Sequence, residues 1–310
     1  MGYPVIERRL QGGGIVVLDG GTGTELERRG VTMDPKAWCG PSSLENSALL
    51  QSIHEDYIAA GADIITVNTY ASSRLMLEPA GFAGQFKEIN CTAITAALRA
   101  REASGQSDVL IAGSLSHMCP IAGGTSKPVL NKVPSQAQMA DAFAELATLF
   151  VDQGCDLILL EMMYYPERMG LAFEAAKQTG LPVWAGFSVR RGDKGQVLSY
   201  APDRDIPFED VVEVLKGFDV EAAGVMHSPS DITADAIEIV RGVYSGPLTA
   251  YPDSGYFEMP HWQFKDVITP DALLQFASKW VENGVQVIGG CCGLSPEHIA
   301  ALRILKGQQT

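Results

Sequence analysis

SQAQMADAFAELATLFVDQGCDLILLEM (135–162) is the stretch from which the fold can be read. Residues 135–153 place apolar side chains at helical spacing, and Ser135 followed by Gln138 has the spacing of a capping box, in which two side chains satisfy two orphan backbone N–H groups at a helix start. Gly154 stands where a left-handed C-cap ends a helix, because glycine alone adopts that conformation without steric cost. LILLEM (157–162) then runs apolar without alternation. A strand with no polar face is covered on both sides, as in a parallel sheet packed under helices. The unit is helix, glycine, strand.

The same beat extends across the chain. Eight short apolar runs end in small or polar residues: IVVLDGG (15–21), DIITVNTY (63–70), VLIAGSL (109–115), LILLEM, PVWAGFS (182–188), AAGVMHS (222–228), PLTAYPD (247–253) and VQVIGGCC (285–292). Helix-length amphipathic segments at 47–60, 86–103, 135–153, 166–179, 231–243 and 270–283 lie between them, and Gly61, Gly180 and Gly284 repeat the role of Gly154. No proline- or serine-rich linker divides the chain. The expectation is an α/β protein, a single-domain (β/α)₈ (TIM) barrel over 1–310, for which about 250 residues suffice. An open doubly wound sheet is the alternative, since strand order is not written in the runs.

Composition narrows the function classes. The formal net charge of −14, without a run of lysine and arginine, disfavours nucleic acid. The N-terminus lacks a secretion-signal pattern and no segment reaches the roughly 18 apolar residues of a membrane span, so a cytoplasmic protein with no membrane partner is expected. Homo-oligomer formation is left open. Six cysteines show no disulfide framework, and in a reducing compartment a cysteine pair points to metal binding or reactivity.

Asp19, Asn68, Glu161, Ser188, His227, Asp253, Cys291 and Cys292 all end strand runs, so a barrel would gather them on the face where such enzymes build active sites. The long loops 116–134, 190–207 and 254–269 open on that face. VIGGCCG (287–293) sets two soft ligands side by side. On a regular strand they would point apart, but a turn at Gly289 and Gly290 would bring both sulfurs to one ion. A buried apolar pair and a vicinal disulfide are the competing readings. Catalytic zinc usually keeps three protein ligands, and His227, ending the sixth run, is the candidate third. His54 and His298 fall in helical contexts, His117 and His261 in loops.

LDGGTGTELERRG (18–30), GADIITVNTYASS (61–73), NCTAI (90–94), AGS (112–114), GCDLILLE (154–161), LPVW (181–184), YPDSG (251–255) and GGCCG (289–293) together resemble the homocysteine S-methyltransferases, in order over about 15–305. The resemblance implies a (β/α)₈ barrel whose zinc is held by three cysteines and binds homocysteine through sulfur. By position it makes Cys291 and Cys292 metal ligands, and Asp19 and Glu161 the acids that hold the acceptor's amino group. It departs at Met226-His227, where the family has Asn-Cys, and at Asp253, where asparagine is usual.

With His227 in place of the third cysteine, two thiolates and a neutral imidazole would leave Zn²⁺ uncharged, where three thiolates leave −1. Such a site should deprotonate a thiol more readily and leave its sulfur a weaker nucleophile. The expected reaction moves a methyl group from an onium donor (S-methylmethionine, S-adenosylmethionine or a betaine) to the homocysteine thiol, giving methionine. Tyr70, Tyr164, Tyr165, Trp184, Tyr251, Tyr256 and Trp262 are candidates to cradle the onium methyl. A divergent member with another acceptor or donor, and a non-catalytic metal- or thiol-sensing barrel, are the alternatives.

Overall fold

The computed structural model describes residues 2–120, 133–258 and 263–307. Its strands in chain order are β1 (Val16–Val17), β2 (Ile64–Thr66), β3 (Leu110–Ser116), β4 (Leu157–Met163), β5 (Val183–Phe187), β6 (Val189–Arg191), β7 (Val197–Ser199), β8 (Ala222–Pro229), β9 (Leu248–Asp253), β10 (Tyr256–Glu258), β11 (Gln263–Lys265) and β12 (Val285–Ile288). Its helices are α1 (Tyr3–Gln11), α2 (Thr22–Arg28), α3 (Ser47–Ala60), α4 (Arg74–Ala80), α5 (Phe86–Ser104), α6 (Gln136–Gln153), α7 (Pro166–Lys177), α8 (Phe208–Val212), α9 (Ser230–Arg241), α10 (Pro270–Glu282) and α11 (Pro296–Leu302).

Eight strands pair in the order β1-β12-β9-β8-β5-β4-β3-β2, every pair parallel. A parallel bridge between Leu18 and Ile64 joins the two ends, with Asp63 N donating to Val17 O at 2.7 Å. The sheet therefore closes on itself. Each of the eight apolar runs contributes one barrel strand, and the remaining four strands form hairpins β6-β7 and β10-β11 after β5 and β9.

The helix ends follow the glycine beat. Ser135 accepts from Gln138 N and completes the capping box of α6. Gly61, Gly154, Gly180 and Gly284 all have positive φ, as the turn back to the next strand requires.

Two apolar clusters result. One fills the layer between strands and helices, and the other fills the barrel, including Val16, Leu18, Leu110, Leu159 and Val287. Ile6 and Leu10 of α1 belong to the barrel cluster. Trp184 Nε1 donates to Tyr3 OH at 2.9 Å and Gln286 Nε2 donates to Leu10 O at 2.6 Å, so α1 plugs the end where β5 and β12 begin. Burying Ile6 and Leu10 stabilises the plug by about 1.5–3 kcal/mol each. This corrects the reading of Trp184 as a mouth residue. It sits at the barrel base because it comes second in its strand, and the base is where strands begin.

Candidate metal centre and substrate pocket

At the opposite end of the barrel, a cavity of about 340 Å³ is lined by Asp19, Asn68, Glu161, His227, Asp253, Cys291 and Cys292. Seven of the eight expected strand-end residues therefore meet. The eighth, Ser188, lies behind them, donating its hydroxyl to Met226 O at 3.0 Å.

The cysteine pair owes its placement to close backbone approach. A Cβ at Gly289 would lie 2.6 Å from the Leu18 side chain, and one at Gly21 would lie 2.7 Å from Cys291 O. The two glycine pairs of LDGG and GGCC thus let the ends of β1 and β12 touch. Gly290 N donates to Asp19 O at 3.0 Å and Cys291 N to Pro252 O at 2.7 Å, which fixes the segment between β1 and β9. The left-handed turn falls at Gly293 (φ 82°), not at Gly289 or Gly290. Cys291 Sγ and Cys292 Sγ end 4.0 Å apart.

His227 is brought to them by a break in β8. The register to β9 shifts between Met226 and Pro229, and His227 takes φ 39°. A β-bulge of this kind re-aims a side chain, and a non-glycine residue in the left-handed region carries strain of about 1–3 kcal/mol. The result is His227 Nδ1 at 3.5 Å from Cys291 Sγ, and Nε2 at 3.8 Å from Asp253 Oδ2. One ligand atom from each of His227, Cys291 and Cys292 lies within 4.8 Å of the other two. A tetrahedral zinc ion with bonds of about 2.0–2.3 Å has edges of about 3.3–3.8 Å, and donors 3.5, 4.0 and at most 4.8 Å apart reach that geometry with shifts of about 1 Å or less.

Across the cavity, β4 breaks register between Leu160 and Met163, with Met162 at φ 52°. Glu161 is buried there and accepts from Ser114 Oγ. Asp19 is buried at the end of β1, accepting from Thr66 N at 2.6 Å and Thr66 Oγ1 at 2.8 Å. No salt bridge reaches either carboxyl among the described residues. Burial raises the Asp19 pKa to about 8 despite the Thr66 hydrogen bonds, with Glu161 adding repulsion. Burial raises Glu161 to about 7 against the pull of Ser114 and His227. Two buried acids without a counter-ion form a pocket for a small cation.

The metal side is electrically different. Burial pulls His227 down, but Asp253, Cys291 and Glu161 together carry it up to about 9. The Cys292 hydrogen bond and burial hold the Cys291 thiol well above its ordinary range.

Of the expected aromatic residues, Tyr70, Tyr164, Tyr251 and Tyr256 line the cavity. Tyr165 does not, being turned to Asp203, which accepts from its hydroxyl. Trp262 and His261 lie outside the described residues, as do 121–132 of the first long loop and 259–262 of the third. Lining residues that went unread in the sequence include Trp38, packed edge-on to Tyr70 at 6.2 Å, Tyr200, packed edge-on to His227 at 5.5 Å, Met118 and Arg168. Tyr200 follows β7, in a loop that the strand pattern had already marked as opening on this face.

A family model for homocysteine S-methyltransferase matches residues 16–305. The chain belongs to that family. Among its relatives, the homocysteine S-methyltransferase 2 of Zea mays is 27% identical, covering 94% of this chain and 89% of its own. Betaine–homocysteine S-methyltransferase 1 of Danio rerio is 27% identical over 95% of this chain and 73% of its own. The selenocysteine methyltransferase of Astragalus bisulcatus is 26% identical over 100% and 98%. The metallated form of the homocysteine methyltransferase MmuM from Escherichia coli superposes with a TM-score of 0.76 at 25% identity, covering 96% of this chain and 98% of that one. The protein is thus a methyltransferase on a TIM-barrel scaffold. No helix among the described residues is long and apolar enough to cross a membrane.

Proposed function

We propose that this methyltransferase, acting as a single barrel domain in the cytoplasm, transfers a methyl group from an onium donor to the thiol of homocysteine, with zinc held by His227, Cys291 and Cys292. The observation that carries this reading is the meeting of those three ligand atoms opposite two uncompensated buried carboxyls.

The chemistry of the donors supports zinc: two thiolates and an imidazole are ligands it takes in catalytic sites. The carboxylate of Asp253 beside Nε2 favours the tautomer that leaves Nδ1 free to ligate, as in other carboxylate–histidine–metal triads. Zinc held there supplies a Lewis acid that brings the pKa of an acceptor thiol into the neutral range.

The remaining work falls to the chain itself. Asp19 and Glu161 take the ammonium of the amino-acid acceptor, whose charge lowers their raised pKa values and keeps both ionised. Thr66 and Ser114 fix the two carboxyls, so the acceptor sulfur is held in one place. The acceptor gives up its thiol proton to solvent, its sulfur bonds to the donor methyl carbon in line, and the donor's carbon–sulfur or carbon–nitrogen bond breaks, the bonding pair leaving on a neutral thioether or amine. The aromatic walls exclude water from this step and face the positive donor with π surfaces.

The test is zinc-loaded protein incubated with homocysteine and, separately, S-methylmethionine, S-adenosylmethionine and betaine, with methionine measured. Methionine formation that disappears in H227A together with bound zinc supports the proposal. Turnover that survives chelation, or is absent with every donor, overturns it.

A further inference from the structure

We propose that Arg168 forms a carboxylate-binding subsite for the methyl donor, which makes the donor an onium compound that also carries a carboxylate. The inference rests on the methyl-transfer reading above and adds the donor's recognition to it.

Arg168 lies in the first turn of α7 and lines the same cavity as the metal centre. At 7% exposure it is the only buried arginine or lysine among the described residues. A guanidinium stays charged at any ordinary pH, and a charge taken out of water is retained only where something compensates it. No carboxylate stands within ion-pair distance of Arg168 among the described residues. Its neighbours are the Tyr165 ring, 4.3 Å from the guanidinium carbon, and the Cys119 thiol. Neither brings a charge, since burial holds both the Tyr165 hydroxyl and the Cys119 thiol above their ordinary pKa values. Arg204, on the same Tyr165 ring at 5.4 Å, is paired with Glu167. The buried arginine lacks what its exposed neighbour has.

A wall of rings connects Arg168 to the metal centre. Tyr200 packs on His227 at 5.5 Å, Tyr164 on Tyr200 at 5.8 Å, and Tyr165 on Tyr164 at 4.8 Å. Tyr164, Tyr200 and Arg168 line one cavity, so a donor whose onium group meets the ring faces has a guanidinium fork in the same cavity for its carboxylate, a bidentate pairing. The acceptor's carboxylate has a donor on its own side of the cavity: the Thr22 hydroxyl, close to Asp19 in sequence, lines the cavity with no hydrogen-bond partner among the described residues. The positive charge at Arg168 is therefore left to the second substrate.

Calorimetric titration of the zinc-loaded enzyme tests this with ligand pairs that differ in the carboxylate: betaine against tetramethylammonium, and S-methylmethionine against its amide. Wild type should bind the carboxylated member of each pair about ten- to a hundredfold more tightly, the range a hydrogen bond to a charged group gives. R168M should abolish the preference, R168K should keep part of it, and both should bind homocysteine as wild type does. Equal affinity within each pair in wild type, no binding of either member, a preference that survives in R168M, or a loss confined to homocysteine would each overturn the assignment. Should R168M fail to fold, the wild-type pairs and R168K decide. A protein that shows the preference but never methylates homocysteine would sink the proposed reaction and leave the arginine subsite standing.

Discussion

The two sides of the barrel mouth solve opposite electrostatic problems. On the β1 and β4 side, Asp19 and Glu161 are buried with hydroxyl and amide donors but no salt-bridge partner among the described residues, and both have raised pKa values. On the β8, β9 and β12 side, His227 sits between Cys291 and Asp253 and its positive charge is favoured by them. The first side is incomplete until a small cationic group arrives. The second side already holds acid, base and thiols in mutual contact. The two positions at which the sequence reads as departing from the pattern it resembles, His227 and Asp253, both fall on the second side and lie 3.8 Å apart. An imidazole that ligates through one ring nitrogen leaves the other free, and a carboxylate is the partner that nitrogen takes.

The largest effect should come from the sulfur side. C291S and C292S should each lose bound zinc and lower kcat by about 10²- to 10³-fold, the scale of several kcal/mol of Lewis-acid stabilisation, as metal analysis and turnover on the same samples would reveal. Loss of turnover with full metal content would break the contrast, because the cysteines would then act as something other than ligands.

Next come the carboxyls. D19N and E161Q should raise the homocysteine KM by about ten- to a hundredfold, through loss of a charge-assisted hydrogen bond, with zinc content unchanged. An acceptor analogue lacking the amino group should feel neither substitution. If it does, the carboxyls serve the fold rather than the ammonium.

D253N should weaken zinc binding by about tenfold, the lower end of what outer partners contribute, read from competition with a chelator. In the H227C background, which removes the ring nitrogen that Asp253 faces, D253N should carry no such penalty. A penalty of equal size in both backgrounds would show that the two substitutions are independent.

The smallest effect is on stability. Asp19 and Glu161 have native pKa values above the roughly 4 of an unfolded chain, so protonation of both favours the fold. That contribution is present in full below about pH 4 and is lost as pH rises through about 7 and about 8. The Tm of the ligand-free protein should fall across this window by roughly 2–4 °C per kcal/mol lost, and D19N with E161Q should flatten the fall. The buried neutral His54 and His117, with lowered pKa values, act in the opposite sense but only below their unfolded value near 6.5.

The barrel was legible in the sequence because parallel strands covered on both faces are written as unbroken apolar runs, and because four helix ends demanded glycine. The metal side was legible in part. Adjacent cysteines after two glycines and a histidine at another strand end announce a ligand set, but their convergence depends on the bulge at His227 and on backbone contact between Gly21 and Cys291, neither of which is a local property. Thr66 and Ser114, which fix the carboxyls, look like ordinary strand residues. Arg168 opens a helix as many arginines do, and only the closed barrel removes it from water. Trp184 was misplaced for a related reason: a position near the start of its strand assigns it to the base, and α1, whose plugging role no periodicity declares, waits there for it.

X-ray absorption at the zinc edge tests the central claim most directly. The loaded enzyme should show two sulfur neighbours and one imidazole nitrogen, with one more sulfur appearing on addition of homocysteine. A zinc environment without imidazole, or one that homocysteine leaves unchanged, would contradict it.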